Sequence, residues 1–121
     1  MLRTLLLFIF LTTACYSTHA QQTTKRYYWY AFAEDIKTKL RIYTHIDSVM
    51  LNGSMYGNPQ VDSLRHQWER IVRKDNASFG GTWDVRLSVD APSLQREFDN
   101  FMKIAADRGY TRKELSFTPK L

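Results

Sequence analysis

The stretch RYYWYAFAE, residues Arg26 to Glu34, decides the fold of this chain. It is rich in aromatic residues, which favour β-strands, and it contains no glycine or proline that would break one. Large aromatic side chains occur at both parities, so both faces of the predicted strand are apolar. If Ala31 and Ala33 lie beneath helices, then Tyr28, Tyr30 and Phe32 face the other way. Otherwise the strand is central and its tyrosines only shield the sheet.

The residues that follow indicate a second strand, antiparallel to the first. Leu40 to Asp47 alternates between apolar and polar side chains, which is typical of a half-buried strand. The polar gap between the two strands is short and predicts a hairpin. The alternation assigns one face to Leu40, Ile42, Thr44 and Ile46 and the opposite face to Arg41, Tyr43, His45 and Asp47.

Two segments farther along have the 3.6-residue period of amphipathic helices. The first begins at Asn58 and Pro59, a favourable capping pair. The second is capped by Asp90 or Ser93, has Pro92 in its first turn and ends at Gly109. Each carries a single apolar stripe, formed by Val61, Leu64, Trp68, Ile71 and Val72 in the first helix and by Leu94, Phe98, Phe101, Met102 and Ala105 in the second. Trp68 and Phe98 lie in the middle of these stripes and are the predicted core anchors.

A strand pattern follows each helix, over Trp83–Val89 and over Thr111–Thr118. The predicted element order is therefore β-β-α-β-α-β, an α+β fold with a four-stranded sheet. Strands that are joined through helices favour right-handed crossovers. Because each helix has only one apolar stripe, we expect both helices to pack on one face of the sheet and to leave the other face open.

The open face supplies the candidate binding site. The second and third strands place Tyr43, His45 and Arg86 on it, and the first strand adds two tyrosines if its alanines face the helices. Tyrosine and arginine are enriched where binding energy concentrates, because they bury area and still form hydrogen bonds. The sequence therefore predicts a non-enzymatic interaction domain whose binding residues are Tyr28, Tyr30, Tyr43, His45 and Arg86.

His45 also supports an alternative function, that of a small hydrolase. Asp84 and Ser116 are placed on the same face and would be its acidic and hydroxyl neighbours. Neither a Gly-x-Ser-x-Gly nor a His-Glu-x-x-His motif accompanies them. A metal site built from His45, Asp47 and His66 is not expected, because His66 lies on a helix across the sheet from the other two. We expect no catalytic residue, no metal and no cofactor.

The N-terminal segment indicates export. Arg3 precedes the apolar run Leu5–Leu11, and seven residues are too few to cross the roughly 30 Å hydrocarbon core of a bilayer as a helix. Thr18-His19-Ala20 is a favourable site for signal peptidase, which assigns residues 1–20 to a signal peptide and residues 21–121 to a single domain. The alternative is a lipoprotein that is cleaved before Cys15 and anchored to the membrane by its lipid.

The composition of the chain indicates where the protein is located and which class of partner it binds. Cys15 is the only cysteine, and a chain without disulfides is more typical of a bacterial envelope than of small eukaryotic secreted domains. Asn-x-Ser triplets at Asn52 and Asn76 fit N-glycosylation sites and favour a eukaryotic secreted protein instead. The net charge of +5 favours acidic surfaces without requiring nucleic acid. We expect a periplasmic or secreted protein whose partner is a protein, a peptide or an envelope glycan, and not a nucleic acid.

The exported chain is predicted to begin at Gln21, because the small residues before it fit signal peptidase better than the segment before Cys15 fits a lipoprotein signal. N-terminal sequencing and the intact mass of the exported protein check this. A diacylglyceryl group on Cys15 would instead establish the lipoprotein.

Overall fold

The computed structural model describes residues 23–75 and 79–121. The predictions for residues 1–20, including both cleavage sites, lie outside the described residues. The strands are β1 (Thr24–Asp35), β2 (Leu40–Tyr43), β3 (Asp47–Asn52), β4 (Thr82–Ser88) and β5 (Thr111–Glu114), and the helices are α1 (Pro59–Asp75) and α2 (Ala91–Asp107). The α+β class is confirmed, but the described sheet has five strands and not four.

β1 is the centre of the sheet. Along one edge it pairs antiparallel first with β3 and then with β2, and along its other edge it pairs antiparallel with β4. β5 lies beyond β2 and runs parallel to it, so the sheet is mixed. The order across the sheet is therefore β4, β1, the β2–β3 pair laid end to end, and β5.

A β-bulge divides the predicted second strand into β2 and β3. Phe32 pairs with Tyr43 and Trp29 pairs with Asp47, so two residues of β1 face three residues of the opposite strand. Thr44 holds the bulge together: its backbone N–H donates to the Ala31 carbonyl at 2.9 Å, and its Oγ1 accepts from the Ala31 N–H at 2.9 Å. The extra residue explains the fifth strand.

The bulge also reverses which side chains of the strand face α1. Before it, Ile42 belongs to the cluster beneath α1; after it, Leu51 packs against Val61 of the same helix. Ile46, predicted to share a face with Ile42, instead packs against the cluster on the opposite face. The continuous alternation expected from Leu40 to Asp47 is wrong because one inserted residue shifts a period of two by half a repeat.

The two helices lie on opposite faces of the sheet, which corrects the expectation that they share one. On one face, Leu64, Trp68 and Val72 of α1 pack with a buried set from the sheet: Trp29, Ala31, Ala33, Ile42 and Val85. On the other face, Leu94 and Phe98 of α2 pack on Tyr30. The sheet is the middle layer of three.

Strand order is the physical reason for this arrangement. The β3–α1–β4 connection crosses the sheet in one direction, and the β4–α2–β5 connection crosses back in the other. Two crossovers that run in opposite directions have the same hand only if their helices lie on opposite faces. The strong preference for right-handed crossovers therefore separates the helices.

The predicted helix starts are confirmed by their caps. Asn58 Oδ1 accepts from the Gln60 N–H at 2.9 Å, and the Asn58 side-chain amide donates to the Asn52 and Ser54 carbonyls. The Asp90 carboxylate accepts from the Ser93 N–H at 3.3 Å at the start of α2. Neither helix has the length and apolar character that would let it cross a membrane, so among residues 23–75 and 79–121 the structure contains no such helix.

Trp68→Ala is expected to lower the free energy of unfolding by about 3–5 kcal/mol, because the ring is fully buried and its Nε1–H donates to the Phe32 carbonyl at 2.9 Å. Arg70→Ala, on the exposed side of the same helix, is expected to change it by less than about 0.5 kcal/mol. Urea unfolding of both variants checks this. A loss below about 1 kcal/mol for Trp68→Ala would contradict the buried stripe.

Candidate functional site

The tyrosine-rich face predicted to be open is covered by α2. Tyr30 is only 2% exposed, and its ring lies 5.2 Å from that of Phe98. Tyr28 and Tyr43 are half-buried against the same cluster, whereas His45 and Arg86 are exposed at its margins. Tyr30 therefore belongs to the core, and the open face on which the site was predicted does not exist in this fold. A binding role for the other four residues stays a prediction.

Tyr30 and Arg86 meet at Glu97 of α2. Arg86 Nε donates to Glu97 Oε1 at 2.7 Å, and the Tyr30 hydroxyl donates to the same oxygen at 3.0 Å. The hydrogen bond from Arg86 lowers the pKa of Glu97 and, in return, raises the pKa of Arg86. Burial, together with Glu97, raises the pKa of Tyr30. These hydrogen bonds connect α2 to β1 and β4, so the shifted pKa values of the three residues are explained by their structural role.

Arg41 lies beneath α2 and bonds to the C-terminal half of that helix, so it is not on an open face. Its guanidinium donates to Glu34 Oε2 and to the Phe101 carbonyl, each at 2.7 Å, and lies 4.0 Å from the centre of the Phe101 ring. The side chain is almost fully buried, which requires such pairing. Arg41 was predicted to be exposed because the alternation of β2 cannot show that a helix covers that face.

His45 lies at a shallow cleft of about 250 Å³ where the bulge meets the end of β5. Its Nε2 is 2.9 Å from Glu114 Oε1, and both side chains are largely exposed. Ser116 lines the same cleft, but in the described part of the chain it makes no hydrogen bond to His45. Asp84, the other neighbour expected for a hydrolase, lies across the sheet on β4 and bonds Arg65 instead. The cleft therefore holds an acid–base pair without a positioned nucleophile.

The residues weighed for a metal do not converge. His45 pairs with Glu114 of β5, while His66 lies 3.9 Å from Glu69 on α1. Nowhere in residues 23–75 or 79–121 do three His, Cys, Asp or Glu side chains come close enough together to hold a metal ion.

A groove that the sequence analysis did not identify lies between β4 and the loop before α1. Its volume is about 380 Å³. Its apolar lining comes from Met55, Val61 and Leu87, and its charged lining from Arg65, Asp84 and Arg86. Tyr56 stands at its rim and is 80% exposed, the largest exposure of any large hydrophobic side chain described. A groove that combines apolar and charged side chains with an exposed aromatic residue has the composition of a binding site.

β4 borders this groove and is an edge strand, since within the described residues it pairs with β1 alone. Ala31 directs both its N–H and its carbonyl towards Thr44, so it forms no backbone hydrogen bond with Val85, its partner on β4. The N–H and carbonyl of Val85 therefore point away from the sheet. By the same alternation, those of Trp83 and Leu87 also point outwards.

Asp84 occupies the middle of this edge. Its Oδ1 accepts from the outward N–H of Val85 at 2.7 Å and from Arg65 Nε at 3.1 Å. A carboxylate in this position satisfies the donor that an added strand would use, which is one of the ways in which proteins protect an exposed edge. Within residues 23–75 and 79–121, the edge is therefore protected by the Asp84 side chain and not by a covering segment.

One signal in the sequence marks the groove, an aromatic residue between two glycines. Gly53 and Gly57, both with positive φ, flank Tyr56 and turn the loop sharply, and the aromatic side chain of Tyr56 is exposed there. The alternation of β4 was recognised, but its position at the edge depends on strand order and could not be read locally.

Comparison of this chain with protein-family models, with curated proteins and with solved structures finds no match.

Glu97→Gln is expected to reduce stability at neutral pH, by less than about 1 kcal/mol because the pair with Arg86 is half-exposed. The pKa of Glu97 is lowered in the folded state, so its contribution is present above the ordinary carboxyl pKa and is lost as the pH falls through the folded value. The difference from wild type should therefore shrink in acid. Denaturant unfolding at a series of pH values measures it.

The matched control is Asp107→Asn, which removes an exposed carboxylate from the same helix. A difference between wild type and Glu97→Gln that grows as the pH falls would contradict the assignment of the Arg86 pair.

Proposed function

We propose that this protein is an exported, non-enzymatic interaction domain that binds an extended segment of a partner protein along the edge of β4. The observation that carries the proposal is the outward-facing backbone of Trp83, Val85 and Leu87, which borders a groove lined by both apolar and charged side chains. Of the predicted binding residues, Arg86 lies at this groove. The surface differs from the one predicted from the sequence, but the class of function is the same.

An exposed edge strand beside a side-chain groove supports recognition by strand addition. The backbone of an added segment forms hydrogen bonds with the edge, which supplies affinity, and its alternate side chains enter the groove, which supplies specificity. On the α1 side of β4, Leu87 and Val61 offer an apolar contact for one such side chain. Tyr56 can then cover it from the loop, as aromatic residues do at the centre of interfaces.

Asp84 supports a specific partner over indiscriminate pairing. An added strand must replace the carboxylate at the Val85 N–H and free it from Arg65, so it must also give Asp84 a new partner. A segment with a basic residue at the right position meets this need. A segment without one leaves the displaced carboxylate without a charged partner.

Two sequence features support export as part of the proposal. The apolar run Leu5–Leu11 and the small residues before Gln21 are typical of a signal peptide, and the mature chain without cysteine suits either the periplasm or the exterior of the cell. The lipoprotein form, cleaved before Cys15, is the alternative.

The test uses a decapeptide selected from a random displayed library for binding to this protein, and NMR of the labelled protein with that peptide. The amides of Trp83, Val85 and Leu87 are expected to shift, and Tyr56→Ala is expected to weaken binding about tenfold. Ile36→Ala is the matched control, because Ile36 is 74% exposed but lies in the turn between β1 and β2.

Two outcomes would contradict the proposal. One is a selected peptide that shifts the His45 cleft and leaves β4 unchanged. The other is hydrolysis of a chromogenic ester that is abolished by His45→Ala, which would make the His45–Glu114 pair the functional site and the protein a hydrolase.

A further inference from the structure

We propose that the strand which β4 fits best is β4 of a second copy of this chain, paired antiparallel about a two-fold axis at Val85. The inference rests on the proposed role of this edge and names its partner. The strand reads Thr-Trp-Asp-Val-Arg-Leu-Ser, a pattern that is complementary to its own reverse. A closed two-fold dimer requires such self-complementarity of one surface patch.

The backbone satisfies the first requirement. Val85 faces outward and would lie opposite Val85 of the second copy, so the two residues would exchange both N–H and carbonyl groups as a hydrogen-bonded pair. Trp83 and Leu87 also face outward and would pair with Leu87 and Trp83 of the second copy. Each outward group of these three residues thus meets a complementary group.

The charges satisfy the second requirement. In this register Asp84 lies opposite Arg86 of the second copy, and Arg86 lies opposite its Asp84. Residues directly opposite in antiparallel strands share a face, and opposite charges in such pairs are favourable. Asp84 would pair with an arginine of the second copy in place of Arg65. The Val85 carbonyl of that copy would replace the Asp84 carboxylate as the acceptor of the Val85 N–H. The Asp84 carboxylate, which protects the edge in the single chain, would therefore also select the strand that pairs with it.

The groove satisfies the third requirement. Trp83 of the second copy would lie opposite Leu87, on the α1 side of the sheet where Leu87 lines the groove. In the single chain Trp83 is only half-buried, with the Arg73 guanidinium 4.8 Å from its ring centre. Dimerisation places a large aromatic side chain beside apolar groove residues, which is the usual source of binding energy at interfaces.

β5, on the opposite edge of the sheet, lacks this complementarity. β5 has four exposed residues, and antiparallel pairing with itself about either of its two middle residues would place Arg112 opposite Arg112, or Lys113 opposite Lys113, of the second copy. Like charges directly opposite each other oppose pairing, and such short charged strands are typical of protected edges. Of these two strands, only β4 is therefore complementary to itself.

Sedimentation velocity from about 1 μM to about 1 mM protein, a range that spans weak to moderate affinities, should show a monomer–dimer equilibrium. Asp84→Arg is expected to weaken the dimer at least about tenfold, because it places like charges opposite each other twice. Asp99→Arg makes the same charge change on an exposed position of α2 and should leave the dimer unchanged. A protein that stays monomeric throughout, or equal effects of both substitutions, would overturn the inference.

Cross-linking tests the register without disturbing any ion pair. In a Cys15→Ser background, Thr82→Cys and Ser88→Cys variants are oxidised separately and as a mixture. Thr82 lies opposite Ser88 of the second copy in the proposed register, so only the mixture should form a disulfide-linked dimer. A dimer that cross-links in the separate samples, or not in the mixture, would overturn this register.

The two proposals fail separately. If the chain stays monomeric while the selected decapeptide still shifts the Val85 amide, the homodimer is wrong and strand addition at β4 stands. If the cross-linked dimer forms and the decapeptide leaves β4 unchanged, the edge serves self-association and the wider function is wrong.

Discussion

The two hydrogen bonds between Thr44 and Ala31 are the constraint on which the rest of the structure depends. They accommodate one extra residue opposite β1, so that β2 and β3 both pair with the same edge of that strand. The alternation of side chains between the two faces of the sheet is reversed from β2 to β3. Only in this arrangement do Ile42 and Leu51 both lie beneath α1. Without the hydroxyl, the buried N–H of Ala31 would lose its acceptor, at a cost of about 1–3 kcal/mol. The same contact turns the Ala31 backbone away from β4 and so leaves the Val85 backbone facing outward.

Local patterns were sufficient to place the helices and most strands, because capping and alternation are local properties. The Asn58–Pro59 start, the Asp90 cap and the positive φ of Gly109 all agree with the sequence. The bulge was missed because Thr44 to Ile46 continues the apparent alternation of Leu40 to Asp47. The faces of the helices were missed because they follow from strand order, which depends on contacts between distant parts of the chain.

The site was harder to predict than the fold for a related reason. Tyrosine is suited both to an interface and to the space beneath an amphipathic helix, so the identity of Tyr30 does not distinguish them. Arg41 shows the same ambiguity, since buried pairing with Glu34 and exposure in a site both suit an arginine. Asp84 and Arg86 become candidate binding residues only because β4 is an edge strand. Their spacing alone would fit any half-exposed strand.

The central position of β1 has a consequence for the order in which the protein is built. β1 comes first among the described strands, but its free edge is covered only when β4 is complete at Ser88. At synthesis rates of about 5–20 residues per second, the aromatic strand waits several seconds without its last neighbour. An apolar strand with an unpaired edge is prone to aggregate during that time. The strand that organises the folded sheet is thus also the segment of the nascent chain that most needs to be held apart from its neighbours.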